Sequence, residues 1–69
     1  MKISARNNLK GKVKDVNMGM VNAEITIELP GGAEITSIIT KSSAERLGIE
    51  VGKDVTAIVK ASNVIVATD

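Results

Sequence analysis

Val21-Asn22-Ala23-Glu24-Ile25-Thr26-Ile27-Glu28-Leu29, followed at once by Pro30-Gly31-Gly32, decides the fold of this chain. Apolar and polar residues alternate without a fault, with Val21, Ala23, Ile25, Ile27 and Leu29 on one face and Asn22, Glu24, Thr26 and Glu28 on the other. A period of two is that of a strand with one face buried. The Pro-Gly-Gly triplet turns the chain, and Ala33 to Thr40 returns as a second strand with Ile35 and Ile39 inward. Ile38 falls on the opposite face, where only something outside this sheet, such as a second subunit, would cover it.

Upstream, Asn8 to Val16 reads as an earlier strand, with Leu9, Gly11 and Val13 on one side and Lys10, Lys12 and Lys14 on the other. Val16 lies three residues from Val13, so the alternation slips and a bulge or strand end is expected there. The apolar turn Asn17-Met18-Gly19-Met20 is expected to fold its methionines over a barrel end; a contact surface is the other reading. Downstream, Ser42-Ser43-Ala44-Glu45 has capping-box spacing with Ser42 as the cap, and Gly48 is a natural helix stop. A short helix of about two turns is implied. Val51-Gly52-Lys53 then turns the chain into Asp54 to Lys60, where Val55, Ala57 and Val59 alternate with Thr56, Ile58 and Lys60. Ala61-Ser62-Asn63 precedes a last strand, Val64 to Ala67.

Three strands, a short helix and two strands is the order of an all-β, five-stranded, OB-fold-like Greek-key barrel with its helix between strands 3 and 4. An SH3-like barrel has a similar strand count but no helix at this place. The 69 residues form one domain, 1–69, without linker or low-complexity segment. Seventeen Val and Ile against three Leu supply the core, which again favours strands. A monomer of this size buries only about 60% of the surface its unfolded chain exposes and generally needs a staple. There is no cysteine for a disulfide and no histidine or cysteine for a metal site, which leaves oligomerisation.

Composition excludes much chemistry. The chain has no aromatic residue and a net charge of +1, so it lacks both the stacking platforms and the basic groove by which OB folds hold single-stranded nucleic acid. Nucleophiles are unassisted Ser and Thr hydroxyls, and no strand carries a carboxylate on its apolar face, so an enzyme is not expected. No apolar run approaches the roughly 20 residues of a membrane span, and Arg6, Lys10 and Lys12 stand where a signal peptide would be apolar. A cytoplasmic protein with no membrane or nucleic-acid partner is the simplest expectation.

What remains is binding a small solute through hydroxyls, amides and cations. Ser4-Ala5-Arg6-Asn7, Thr40 to Ser43 and Lys60-Ala61-Ser62 concentrate such groups. Each is ordinary alone: Ser42 serves as a helix cap, and Arg6 and Lys60 as solvated charges. Read together, with the helix start offering amides beside Ser43, they suit a tetrahedral oxyanion, which wants converging donors, one or two cations and no carboxylate.

The stretch Met1-Lys2-Ile3-Ser4-Ala5-Arg6-Asn7-Asn8-Leu9-Lys10-Gly11-Lys12-Val13, then Ile39-Thr40, Ser43, Arg46-Leu47-Gly48, Val51-Gly52-Lys53 and Val59-Lys60-Ala61, resembles the molbindins (Mop), small molybdate-binding proteins. The same TOBE-like module recurs in molybdate-responsive regulators and molybdate transporter ATPases. The resemblance covers essentially the whole chain. It implies a homo-oligomer, a hexamer built as a trimer of dimers, that binds and stores molybdate or tungstate at subunit boundaries without cofactor or catalysis. It also implies that Ser4, Arg6, Lys60 and the backbone around Ala5 and Ala61 come from one subunit, and Thr40 and Ser43 from its neighbour. Molybdenum needs no protein ligand, since four oxygens already surround it. The alternative is a non-enzymatic OB-fold assembly or regulatory module in which anion binding is incidental.

Overall fold

A computed structural model describes residues 1–69. The chain runs β1 (Asn7–Met18), β2 (Asn22–Glu28), β3 (Glu34–Thr40), α1 (Lys41–Arg46), β4 (Asp54–Val59) and a single 3-10 turn (Ala61–Asn63). The four strands form one antiparallel sheet in the order β3-β2-β1-β4. β1 is long because two strands share it. Its first half, Asn7 to Lys12, pairs with β4, and its second half, Lys12 to Met18, pairs with β2. The register shifts between Val13 and Asp15, which leaves Lys14 as the bulged residue at the slip that the sequence predicts.

The faces follow the alternation. Val13, Ala23, Ile25 and Ile27 are buried together with Ala44 of α1, and Val16, Leu29, Ile35, Ile39, Ile49, Val55 and Ala57 pack around them. Pro30-Gly31-Gly32 closes the β2–β3 hairpin, with the Leu29 amide donating to the Ala33 carbonyl at 2.7 Å. Ile38 is 66% exposed on the outer face, as its parity requires.

Gly11 marks where β1 curls from one partner to the other. A Cβ there would lie 2.5 Å from the Glu28 carbonyl oxygen and 2.9 Å from Ile27 Cγ2, so the backbone of β2 forbids a side chain. Gly11→Ala is expected to destabilise the protein by about 1–3 kcal/mol, read as a lower midpoint in a denaturant melt, because strand backbone must move to admit the methyl.

Three expectations are corrected. The barrel is not closed: the sheet is curled but open, a half-barrel of four strands, because Val64 to Ala67 forms no ladder within the chain. The backbone is extended at Val64 (φ −88, ψ 122), yet the 3-10 turn delivers the segment away from the sheet, leaving Ile65 93% and Val66 87% exposed. Alternating apolar residues make a segment able to be a strand; they do not supply the partner.

Second, Thr40 rather than Ser42 caps α1. Thr40 ends β3 in an extended conformation (φ −68, ψ 151), and its Oγ1 accepts from the Ser43 amide at 3.1 Å. The helix therefore begins at Lys41 and has six residues. Its far end is a Schellman motif: the Gly48 amide donates to the Glu45 carbonyl and the Ile49 amide to the Ala44 carbonyl, both at 3.0 Å, with Gly48 at φ +64. Third, the methionine turn does not cover a barrel end, since Met20 is 94% exposed.

Ion pairs line the outer face. Lys12 donates to Asp54 Oδ1 at 2.7 Å, and this hydrogen bond, then the Lys12 charge, holds the Asp54 carboxyl below its ordinary value of 3.8. Lys14 donates to Glu34, which raises its ammonium above 10.5, with Glu28 adding to the effect. The depressed carboxyl contributes stability above its unfolded value, lost as pH falls through the folded one. The raised ammonium contributes below its unfolded value, lost as pH rises through the folded one. Asp54→Asn is expected to flatten the acid limb of a melting-temperature profile below about pH 4 and leave the alkaline limb intact, a difference that added salt narrows.

Candidate functional site

Three clefts of the chain are separated by their lining charges. One lies beside Lys10, Gly11, Lys12, Glu28, Pro30 and Asp54. Its two ammonium groups face two carboxylates, one of them bound directly to Lys12, so no net attraction for an anion remains. The second, ≈500 Å³, is the apolar interior of the half-barrel between β3 and β4.

The third, ≈670 Å³, is bounded by Ile3, Ser4, Ala5 and Arg6 on one lip and Ile58, Lys60, Ala61, Ser62 and Asn63 on the other. Sheet pairing creates it. β1 starts at Asn7 and β4 ends at Val59, and these two residues are the last pair of their ladder. The residues just outside that pair, Arg6 and Lys60, are thereby brought to one mouth although 54 positions separate them in the chain. Neither forms an ion pair, and no carboxylate lines the cleft. The 3-10 turn uses the amides of Asn63 and Val64, which donate to the carbonyls of Lys60 and Ala61, leaving the amides of Ala61 and Ser62 outside the turn's own bonds. Two cations, serine hydroxyls and an asparagine amide make a donor-rich wall.

Five of the seven residues singled out in the sequence, Ser4, Ala5, Arg6, Lys60 and Ala61, thus share one cleft. Thr40 and Ser43 do not join them. They sit at the β3–α1 junction, where Thr40 Oγ1 lies 2.9 Å from Ser43 Oγ and also accepts from the Ser43 amide. Ser43 is half-buried and its amide is occupied by the cap, so Thr40 and Ser43 present a hydroxyl pair and the Ser43 amide is not free. Ser62 and Asn63 belong to the cleft as well. Ser62 falls within the donor-rich fragment Lys60-Ala61-Ser62 that the sequence marks, whereas Asn63 is signalled only by its polar side chain directly after that fragment. No group of three or more His, Cys, Asp or Glu is placed to hold a metal ion.

Residues 3–66 match the TOBE domain family. Molybdenum-pterin-binding protein 2 of Clostridium pasteurianum is 50% identical over 66 residues, spanning 96% of this chain and 97% of that protein. The chain belongs to the molbindin (Mop) family. Solved structures agree with this molbindin assignment. A molybdate-binding protein from Sporomusa ovata superposes with a TM-score of 0.92 at 40% identity, covering 99% of this chain and all of the other. ModG, described as a cytoplasmic molybdate-binding protein and solved with molybdate bound, superposes with a TM-score of 0.91 at 51% identity; 94% of this chain matches 46% of that one. The molbindin module is thus a complete small protein in one relative and about half of a chain in another.

Proposed function

We infer that this protein binds molybdate, and its congener tungstate, as the intact oxyanion, and acts without catalysis as a cytoplasmic store or buffer for it. The observation that carries this reading is the acid-free cleft in which Arg6 and Lys60 converge with Ser4, Ser62 and Asn63. Molybdate near neutral pH is a dianion carrying no proton, so its four oxygens only accept, and a wall of donors matches it. Monohydrogen phosphate must also donate, and this cleft offers it no carboxylate to receive that proton. The guanidinium of Arg6 would grip two oxygens and the ammonium of Lys60 a third, both as charge-assisted bonds. Relatives of matching length and fold are named for binding molybdate or molybdenum-pterin. A pterin ring would call for an aromatic partner, and the chain has none, which favours the bare anion.

The reading extends to assembly: a hexamer, arranged as a trimer of dimers, in which Thr40 and Ser43 of a neighbouring subunit complete the donors around Ser4, Ala5, Arg6, Lys60 and Ala61. Two surfaces support self-association. The first is the gap between β3 and β4, whose edges pair with nothing and whose floor includes Ile25, Ile27, Ile35, Ile39 and Val55. A fifth strand there would close the OB barrel. The segment after the 3-10 turn has the character for it, since it starts extended at Val64 and is apolar through Ala67; fully extended, its six residues would span about 20 Å, close to the length of the seven-residue β3. In this reading each subunit lends residues 64–69 to its partner's gap, which closes both barrels without new loops. The second surface is the outer patch of Met20, Val21 and Ile38, all exposed.

Calorimetric titration of the purified protein tests the function. Saturable heat with molybdate and tungstate, and far weaker binding of phosphate, is expected. Absence of molybdate binding overturns the reading and leaves an assembly module.

A further inference from the structure

We propose that Asn7 is a positioning residue that clamps the two lips of the cleft against the mutual repulsion of Arg6 and Lys60; this rests on reading the cleft as the anion site. Asn7 is half-buried, and its Nδ2 donates to the Val59 carbonyl oxygen at 3.1 Å across 52 positions of sequence. Asn7 adjoins Arg6, and Val59 adjoins Lys60. No other side-chain hydrogen bond joins these two segments.

The backbone ladder brings Arg6 and Lys60 to one mouth but ends at this pair, so no ladder pairing beyond Asn7 and Val59 holds the two lips together. Two like charges at an open mouth, with no carboxylate between them, push apart whenever the anion is absent. A clamp is therefore needed at the point where the ladder runs out, and its chemistry is constrained. An Asp or Glu bridging the lips would hold the cations but repel an incoming oxyanion. An Asn amide ties one lip to the other while adding no charge. The first lip is steadied from the next position too, where Asn8 Nδ2 lies 3.5 Å from the Ala5 carbonyl oxygen. Consecutive asparagines thus restrain the two lips before the ligand arrives, and preorganisation of this kind raises affinity by removing an ordering cost.

The test is calorimetric titration of molybdate into the parent protein, Asn7→Ala, Lys60→Ala and the double variant, each at low and high salt. Asn7→Ala is expected to weaken binding roughly five- to tenfold, the scale of one uncharged hydrogen bond. The deficit narrows at high salt, where the repulsion is screened. It vanishes in the Lys60→Ala background, where there is nothing left to restrain. Asn7→Leu, which keeps the bulk without the donor, should behave as Asn7→Ala does and serves if the alanine variant does not fold. Parent-like affinity, or a deficit independent of salt and additive with Lys60→Ala, overturns the clamp. A parent protein that binds no molybdate overturns the anion-site reading itself; a parent that binds beside an unimpaired Asn7→Ala overturns the clamp alone.

Discussion

Arg6→Ala and Lys60→Ala are each expected to lower molybdate affinity by about 1.5–3 kcal/mol, roughly ten- to 150-fold, with fold and assembly retained. Both side chains are exposed and unpaired, and neither contributes to the buried core. Their removal should therefore be felt by the ligand and little by the fold. Arg6→Lys refines the result, since it keeps the charge but loses the planar fork, and should fall between parent and Arg6→Ala. Calorimetry measures the affinities and size-exclusion chromatography the assembly. Unchanged affinity in both alanine variants would place the site elsewhere.

Truncation after Asn63 is expected to have the larger effect on the protein itself. Within one chain only five residues are buried, a core of Val13, Ala23, Ile25, Ile27 and Ala44. Val64, Ile65 and Val66 are all exposed in the single chain. Burying an aliphatic side chain contributes about 1.5–3 kcal/mol, so two or three of them in a partner's gap amount to about 3–9 kcal/mol. The whole stability expected of so short a chain, at about 0.05–0.15 kcal/mol per residue, has the same size. The truncated protein should lose both its oligomeric state, seen by light scattering, and most of its cooperative thermal transition, seen by circular dichroism. A truncated protein with the parent's mass and melting curve would show that the tail closes nothing.

These expectations divide along the line of what a single sequence encodes. The Val21–Leu29 alternation and the Pro-Gly-Gly turn are local signals, and β2 and β3 stand where they point. The three-residue step from Val13 to Val16 is local too, and the Lys14 bulge answers it. Thr40 defeated the helix cap because Ser42 offers an equally good hydroxyl two positions on; the choice is made by where β3 releases its backbone, not by side-chain type. Residues 64–67 are apolar enough for a strand, but pairing is a property of whatever lies alongside, and this chain sets nothing there. The candidate site was legible as donor-rich fragments at Ser4–Arg6 and Lys60–Ser62. Their convergence was not, since it depends on Asn7 and Val59 being the terminal pair of a ladder 52 residues apart. For the same reason Asn7 is only one polar residue of the Ser4–Asn7 fragment in sequence and becomes a bridge in the fold.

Native mass spectrometry of the purified protein with and without molybdate tests the central claim most directly, because it weighs assembly and bound anion in one spectrum. The account predicts a hexamer whose mass rises by whole molybdate units when the anion is added. A hexamer that gains no mass, or a monomer in both conditions, would contradict it.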